Sequence, residues 1–573
     1  MKIRKPLTII LALAAFFASI CISGTNAAQP AGSGNIRHVL LISVDGMHAV
    51  DFLNCAQGVS GVNNGEPYCP TLARLAQHGI NYVATSSSKP SDSFPGLAAL
   101  VTGGSPKSTG LYYDVAYDRS LDAPLITTGT GLAGGPCTPF ASPTGTTTDN
   151  DQGIDIDDTK LNGGAPGAAP TEGGIASLDP RKLVRNPAQG CSPVYPWDFV
   201  RTNTIFSVVH AAGGYTAWID KHPSYSFVAG PGGTGLNDYY SPEVDSNVIA
   251  LPGVTTAEGV ACDPIRDTTN TSSWTNSFEN IQCYDALKVK ALLNEISGKT
   301  HNGQPAKIPA IFGMNFQAVY FGESLSEPGV ANGGYLNAAA VPGDELLQET
   351  KFVDTSISDV VTALKDNGIY DSTLIIITAK HGDSPIDPNL YVADGTSTPA
   401  TLLAAAGYIP FSESPLNPTG IGATEDDVSV LWLIPGSSIP DAVKILENNA
   451  AAIGLGQIYY GPTLALNYGV GGLGHGLDPR SPDIIVTPNI GVTYTGSTTM
   501  IGDHGGFAHD DTNVMLLVAN PLFSAQTVFS GTTTMQVAPT ILKALGLDPG
   551  KLDAVKIEGT GILPEVAAQL NQR

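Results

Sequence analysis

The sequence predicts an α/β fold: one sandwich with a mostly parallel central sheet, helices on both faces and loop-rich insertions. Three apolar, β-branched runs carry the sheet, His38–Gly46 (HVLLISVDG), Ala310–Val319 (AIFGMNFQAV) and Ser372–Gly382 (STLIIITAKHG). They are continuous rather than alternating, as strands covered on both faces are. Between and around them lie helical patterns, several closing at Gly: Cys69–Gly79, Ser93–Gly103, Ala286–Gly298, Glu349–Gly368 and Gln536–Leu547. Strand and helix alternate along the chain, which argues for one layered domain. The later runs Pro482–Pro488 and Asn513–Pro521 fit the same sheet.

The first residues read as an address rather than as fold. Met1 to Lys5 carry cations, Leu7 to Ile22 is apolar, and small residues follow up to Ala28, so residues 1–28 read as a signal peptide and the mature chain as secreted or periplasmic. No later run reaches the roughly 18 apolar residues of a membrane span, so no stable membrane anchor is expected after the signal is removed. Six cysteines remain beyond Cys21. An even number in an exported chain suggests disulfides, and neighbour pairing (Cys55 with Cys69, Cys137 with Cys191, Cys262 with Cys283) closes the shortest loops, although six cysteines allow fifteen connectivities. No CxxC spacing occurs, which argues against a thiolate zinc site.

Two stretches interrupt the alternation. Residues 114–197, rich in Gly, Pro, Thr and Asp and holding two cysteines, read as a disulfide-tied loop or cap inserted into the domain. Residues 412–490 read as a small subdomain, and residues 548–573 as a C-terminal tail. Inside the first stretch, Asp149–Asp158 (DNDQGIDIDD) has the spacing of a calcium loop but no acidic residue at its closing position, which favours a solvated acidic loop. A net charge of −24 excludes nucleic-acid polymers as natural partners and leaves small molecules as the expected ligands.

Chemistry concentrates at strand ends. Ligands of open α/β sheets bind at the carboxyl edge, where Asp45 and His381 each follow a predicted strand and precede a Gly. A carboxylate and an imidazole on one edge could share a metal ion, and each alone could equally be a turn former or a satisfied structural group. Ser93 precedes Pro95 at the start of a helical run, at or just before the cap, where outward N–H groups favour an anion. It reads as a plain cap or as a nucleophile aimed by that cap. His504 and His509 stand in GDHGGFAHDD among Asp503, Asp510 and Asp511, a dense set of potential metal or phosphate contacts. Lys221 and His222 follow a short strand in AAGGYTAWIDKHP, where a lysine could meet an anionic ester as a point charge.

The order of these motifs resembles the alkaline phosphatase superfamily. It combines Asp-Gly after the first strand, Ser-Phe-Pro at a helix start, His-Gly after a later strand, and Gly-Asp-His-Gly-Gly before APTILKALGL. The branch most similar is the nucleotide pyrophosphatase/phosphodiesterase (type I phosphodiesterase) group, and the likeness spans about Ile36 to Leu547. The resemblance implies an alkaline-phosphatase-like domain over 36–547 with a two-zinc site. Asp45, Ser93 and His381 match one metal's ligands and the nucleophile, and His504 matches a ligand of the other. Lys380 stands where the family has Asp, Gln317 and Phe321 stand where Asp-x-x-x-His supplies the second metal, and Gly96 replaces an Asn that steadies phosphate.

These departures shape the expected chemistry. One divalent metal, zinc by preference, would sit on Asp45, His381 and His504, with Ser93 attacking and Lys380 and Lys221 standing in for the missing cation. Where both metals are retained the count is two. His222, Gln317 and His509 are expected at the substrate. The function expected is an exported metal-dependent hydrolase of phosphoric esters, whether diesters or monoesters. The alternatives are a degenerate, non-catalytic member that binds an anionic or sugar ligand, and, less favoured, sulfatase-like or phosphotransferase activity. Ser93-Phe94-Pro95-Gly96-Leu97 lacks the Arg that sulfatases need.

Overall fold

In the computed structural model the described residues are 36–571, apart from 129–130, 151–177, 245–250, 252, 269–273, 332, 411–416, 418, 469–477, 496 and 498. The signal-like segment 1–28 and most of the acidic run Asp149–Asp158 lie outside them. The central sheet contains β1 (His38–Val44), β2 (Gly79–Tyr82), β3 (Ala217–Ile219), β4 (Asp238–Tyr240), β5 (Ile311–Phe316), β6 (Thr373–Thr378), β7 (Leu516–Ala519) and β8 (Gln526–Val528). Their spatial order is β8-β2-β7-β6-β1-β5-β3-β4. All neighbours pair in parallel except those of β7, which is antiparallel to both β6 and β2.

Pleating explains why the predicted strands look uniformly apolar. Leu40, Ile42 and Val44 of β1 face a core formed with α1 (Ala49–Gln57), α3 (Phe278–Ile296) and α5 (Asp344–Asp366), whereas Val39 and Leu41 face the opposite core with α2 (Ser93–Thr102) and α6 (Val537–Ala544). Another short helix, α4 (Ala318–Ser324), follows directly on β5. Residues beyond α6 also pack inward, with Leu563, Val566 and Leu570 buried in the second core.

The run Pro482–Pro488 departs from the expectation that it joins the central sheet. Ile484–Pro488 belongs to a separate four-stranded antiparallel sheet, ordered Ala423–Glu425, Ser429–Leu431, Ile484–Pro488, Leu455–Tyr460. It looks like a central strand because Ile484 and Val486 enter a cluster with Leu431 and Leu446, while Ile485 enters another with Tyr112 and Trp432. Double-sided burial is a property of the strand, not of the sheet it joins.

The three disulfides are Cys55–Cys69, Cys137–Cys191 and Cys262–Cys283, the neighbour pairing. They fit an oxidising compartment. Among the described residues no helix is long and apolar enough to cross a membrane.

Register places the chemistry. Ser43 lies opposite both Asn315 and Thr378, and Met314 lies opposite Ile219, so β1, β5, β6 and β3 end together. Asp45, Gln317, Lys380 with His381, and Asp220 with Lys221 therefore emerge along one edge. Gly46 has φ +86°, and a Cβ there would come within 2.4 Å of Glu323 Oε2, so the turn behind Asp45 requires glycine. At Gly96 the constraint is space: a Cβ would lie 2.4 Å from the Lys380 carbonyl oxygen. Gly96→Ala is thus expected to destabilise the protein by about 1–3 kcal/mol through overpacking, read as a lower melting temperature. An unchanged melt would show that α2 and the β6 end can separate freely.

Candidate active site

Ser93 is the first residue of α2, and the cap is Asp92, whose Oδ1 accepts the Phe94 N–H at 3.1 Å. This corrects the reading of Ser93 as its own cap. The carboxylate takes the capping bond, which leaves the Ser93 hydroxyl for other partners. Lys221 Nζ lies 3.0 Å from Ser93 Oγ, and His381 Nε2 lies 2.9 Å from it. His381 Nδ1 is 3.2 Å from the Gly382 carbonyl oxygen, a contact that requires the ring proton on Nδ1. Nε2 is then an acceptor for the Ser93 hydroxyl.

Asp45 is the anionic centre of this edge. Its Oδ2 accepts from Gln317 Nε2 at 2.7 Å and lies 3.7 Å from Lys380 Nζ and 3.8 Å from both Lys221 Nζ and His381 Nε2. Burial alone would raise this carboxyl, but Lys380, His381 and Lys221 hold it well below the usual carboxylate range. Lys380 is fully buried, donates to Asp220 Oδ1 at 3.0 Å, and lies 4.6 Å from the centre of the Tyr225 ring. Asp220 also accepts from the Trp218 indole at 2.8 Å, so β3 fixes the anion that fixes Lys380.

The last loop closes the site from the other side. Gly505 N–H donates to the Ser91 carbonyl at 2.9 Å and Ser91 Oγ donates to the Asp511 carbonyl at 2.6 Å, which ties the His504 loop to the segment leading into α2. His504 stacks on His381 with ring centres 3.9 Å apart. Its Nδ1 lies 3.3 Å from Asp503 Oδ1 and its Nε2 lies 3.9 Å from Asp92 Oδ2. Burial opposes charge on His504, yet Asp503, Asp383 and Asp92 push its pKa up to about 10. Burial and that neighbouring imidazolium push His381 well down, so His381 is neutral beside a charged His504.

Sequence reading thus placed Asp45, Ser93, Lys221, Gln317, Lys380, His381 and His504 in one locus, and the structure brings these seven side chains together. Of the expected substrate contacts, the buried His222 pairs with Glu243 at 2.7 Å, and the side chain of His509 is 78 % exposed beside Asp510. Sequence reading passed over Asp92, Asp220 and Asp383, each adjacent to a residue it named or one position removed. Asp383 stands two positions after His381 in KHGDSP, and that proximity was the available signal.

Behind Asp383 runs a buried ionic network. His48 Nδ1 donates to Asp51 Oδ2 at 2.9 Å, His48 Nε2 meets the Asp383 carbonyl at 2.9 Å, and the Tyr335 hydroxyl donates to Glu323 Oε1 at 2.6 Å. Burial opposes charge on His48 but Glu323 and Asp51 raise its pKa well above the ordinary value, so a cation bridges these acids.

Residues 39–143 and 333–507 match the profile of the type I phosphodiesterase / nucleotide pyrophosphatase family. The chain belongs to that family. Its fold is also that of murine ectonucleotide pyrophosphatase / phosphodiesterase 5, with 12 % identity, a TM-score of 0.50, and coverage of 89 % of this chain and 96 % of that one. An inactive variant of the murine protein in complex with AMP gives a TM-score of 0.51 at 12 % identity, over 90 % and 96 % of the two chains. Phosphonoacetate hydrolase from Sinorhizobium meliloti, in complex with phosphonoacetate, matches at 15 % identity and a TM-score of 0.48 over 89 % and 96 %. No curated protein matches the sequence.

The paired zinc ions implied by the type I phosphodiesterase resemblance do not fit these side chains. At the first position a dication on Asp45, Ser93 and His381 would face the ammonium groups of Lys380 and Lys221, both within 4 Å of the single carboxylate oxygen available. At the second, the Gln317 amide is a donor turned onto Asp45 and Phe321 offers no ligand atom. Among the described residues, His381, Asp383 and His504 do bring potential ligand atoms within 4.8 Å of one another, as do His48, Asp51 and Glu323.

Removing the Lys380 charge should therefore be costly. Lys380→Met is expected to destabilise the protein by about 3–5 kcal/mol, because it takes the buried cation from Asp45 and Asp220. Urea unfolding reads this, and a loss under about 1 kcal/mol would show that the pairing is not structural.

Proposed function

We propose that this protein is an exported hydrolase of small phosphoric esters in which Ser93 is the nucleophile and side-chain cations take the place of the family's metals. The observation that carries the reading is Ser93 Oγ, held at a helix N-terminus 2.9 Å from a neutral imidazole nitrogen and 3.0 Å from an ammonium group. A hydroxyl so placed has both a proton acceptor and a charge to stabilise the alkoxide.

The chemistry follows from those contacts. Ser93 Oγ forms a bond to phosphorus as its proton passes to His381 Nε2, and the bond from phosphorus to the leaving oxygen breaks. The leaving group takes the proton from Nε2. A water then attacks the phosphoserine, giving its proton to Nε2, and Ser93 recovers that proton as the product departs. Lys221 and Lys380 offset the charge that builds on the phosphoryl oxygens, and the α2 N-terminus adds its dipole. Asp45 keeps the two ammonium groups converged rather than serving as a metal ligand. His504, as an imidazolium, keeps His381 neutral through like-charge repulsion and stacking.

A second reading rests on Asp383, whose carboxylate oxygens meet no hydrogen-bond donor although the residue is buried. His381, Asp383 and His504 would hold one divalent cation in place of the His504 proton, and such an ion would supply Lewis-acid charge beside the nucleophile.

Turnover of aryl phosphate monoesters and diesters tests the nucleophile. Ser93→Ala is expected to lower kcat by about a thousandfold or more with an unchanged melting temperature, and a quenched wild-type reaction should yield a phosphorylated Ser93 peptide by mass spectrometry. Full activity of Ser93→Ala would overturn the proposal. No turnover of any ester by the wild type would leave a non-catalytic anion binder.

A further inference from the structure

Beside the His504 loop there is a cavity of about 240 Å³, where the small antiparallel sheet meets the central domain. Asp427, Gln457 and Thr487 line it from the small-sheet side, and Ser384, Ala508 and Asp511 from the loops that carry the active site. Asp427 and Asp511 are 3 % and 1 % exposed. Neither oxygen of Asp427 meets a hydrogen-bond donor. Asp511 is braced instead, its Oδ1 and Oδ2 accepting the Gly506 and Ala508 N–H groups at 3.1 Å each. Among the described residues no Lys or Arg pairs with either carboxylate.

Two buried carboxylates facing one cavity without a cation are costly to keep ionised. Burial and the nearby charges of Asp511 and Asp503 push Asp427 well up, and burial pushes Asp511 up to about 7. The site therefore holds either an extra proton or an extra cation. Its donors are carboxylate, amide and hydroxyl oxygens, with no imidazole or thiol lining the cavity, which is the set a hard divalent ion takes.

We infer that this cavity is a calcium-class cation site in which Asp427 and Asp511 are the charged ligands and the ion clamps the small sheet to the His504 loop. Asp511 is well placed for this coupling. Its carboxylate holds the Gly506 and Ala508 amides, and its carbonyl accepts from Ser91 Oγ, two residues before the proposed nucleophile. The Asp427 N–H donates to the His504 carbonyl at 3.1 Å, so the second ligand is tied to the same loop. An ion here would stabilise the folded active-site loop without touching substrate. This inference is independent of the proposed ester chemistry.

The test uses the whole secreted chain, stripped of metal, with calcium chloride as the probe. Isothermal titration is expected to give one calcium per chain at a dissociation constant below about 1 mM, with a melting temperature that rises as calcium is added. Asp427→Asn is expected to weaken binding at least tenfold and to remove the calcium-dependent rise. The same variant without calcium should melt at or above the wild type, because an amide there ends the enforced sharing of a proton between two buried carboxyls. That opposite sign separates a ligand from a residue that is merely structural. No calcium binding at 10 mM would overturn the inference and leave a shared proton between the carboxylates. Calcium binding undiminished in Asp427→Asn would overturn it equally. Binding of zinc at this site in preference to calcium would contradict the oxygen-donor assignment.

Discussion

The active edge depends on one buried carboxylate. Asp45, fully buried at the end of the central strand, is surrounded within 4 Å by Lys380, Lys221 and His381. An isolated carboxylate could not stay charged there, and two ammonium groups could not converge there without it. Each supports the burial of the other, and Ser93 is positioned by the same groups, since Lys221 and His381 contact both Asp45 and the serine hydroxyl. Asp220 extends the arrangement to β3 and Gln317 extends it to β5. Ser93, the cations and the sheet edge therefore form one electrostatic unit.

This arrangement gives a physical account of how the site departs from the pattern its family implies. Replacing a carboxylate by Lys380 adds a positive group where a metal position would be, and the loss of acidic and imidazole donors at Gln317 and Phe321 leaves the other position with His504 alone of its matched ligands. The acidic neighbours of His504 hold it protonated. In the proposed mechanism, charge that zinc would bring is carried by nitrogen. The acids beyond, Asp383 and Glu323, face the cations of His504 and His48. They lie against His48, whose contacts with Asp51 and the Asp383 carbonyl anchor the turn after His381.

Much of this was legible in the sequence, for reasons that differ by element. The apolar runs of β1, β5 and β6 announced doubly covered strands because their residues do alternate between two cores. The residues that follow them could be placed on one edge because parallel strands end together. Composition does not encode strand direction, so the antiparallel course of β7 was invisible although the strand itself was expected, and the membership of Ile484–Pro488 in a second sheet was equally invisible. In the site, residue type and motif order located the seven converging side chains, but their partners were hidden. Ser93 was read as a cap because Asp92 and Ser93 are equally good capping residues, and only the geometry assigns the bond. His509 looked like a ligand because it sits in an acidic, histidine-containing loop, whereas the turn that begins at Ala508 directs it to solvent.

The central claim is that lysine and histidine cations do here what metal ions do in the family pattern. The most direct measurement is hydrolysis of an aryl phosphodiester after dialysis against a zinc-selective chelator, with calcium kept present and zinc per chain determined on the same sample. The account predicts an undiminished rate at a zinc content near zero, and no acceleration when zinc is returned. A rate that collapses on chelation and recovers with added zinc would contradict it.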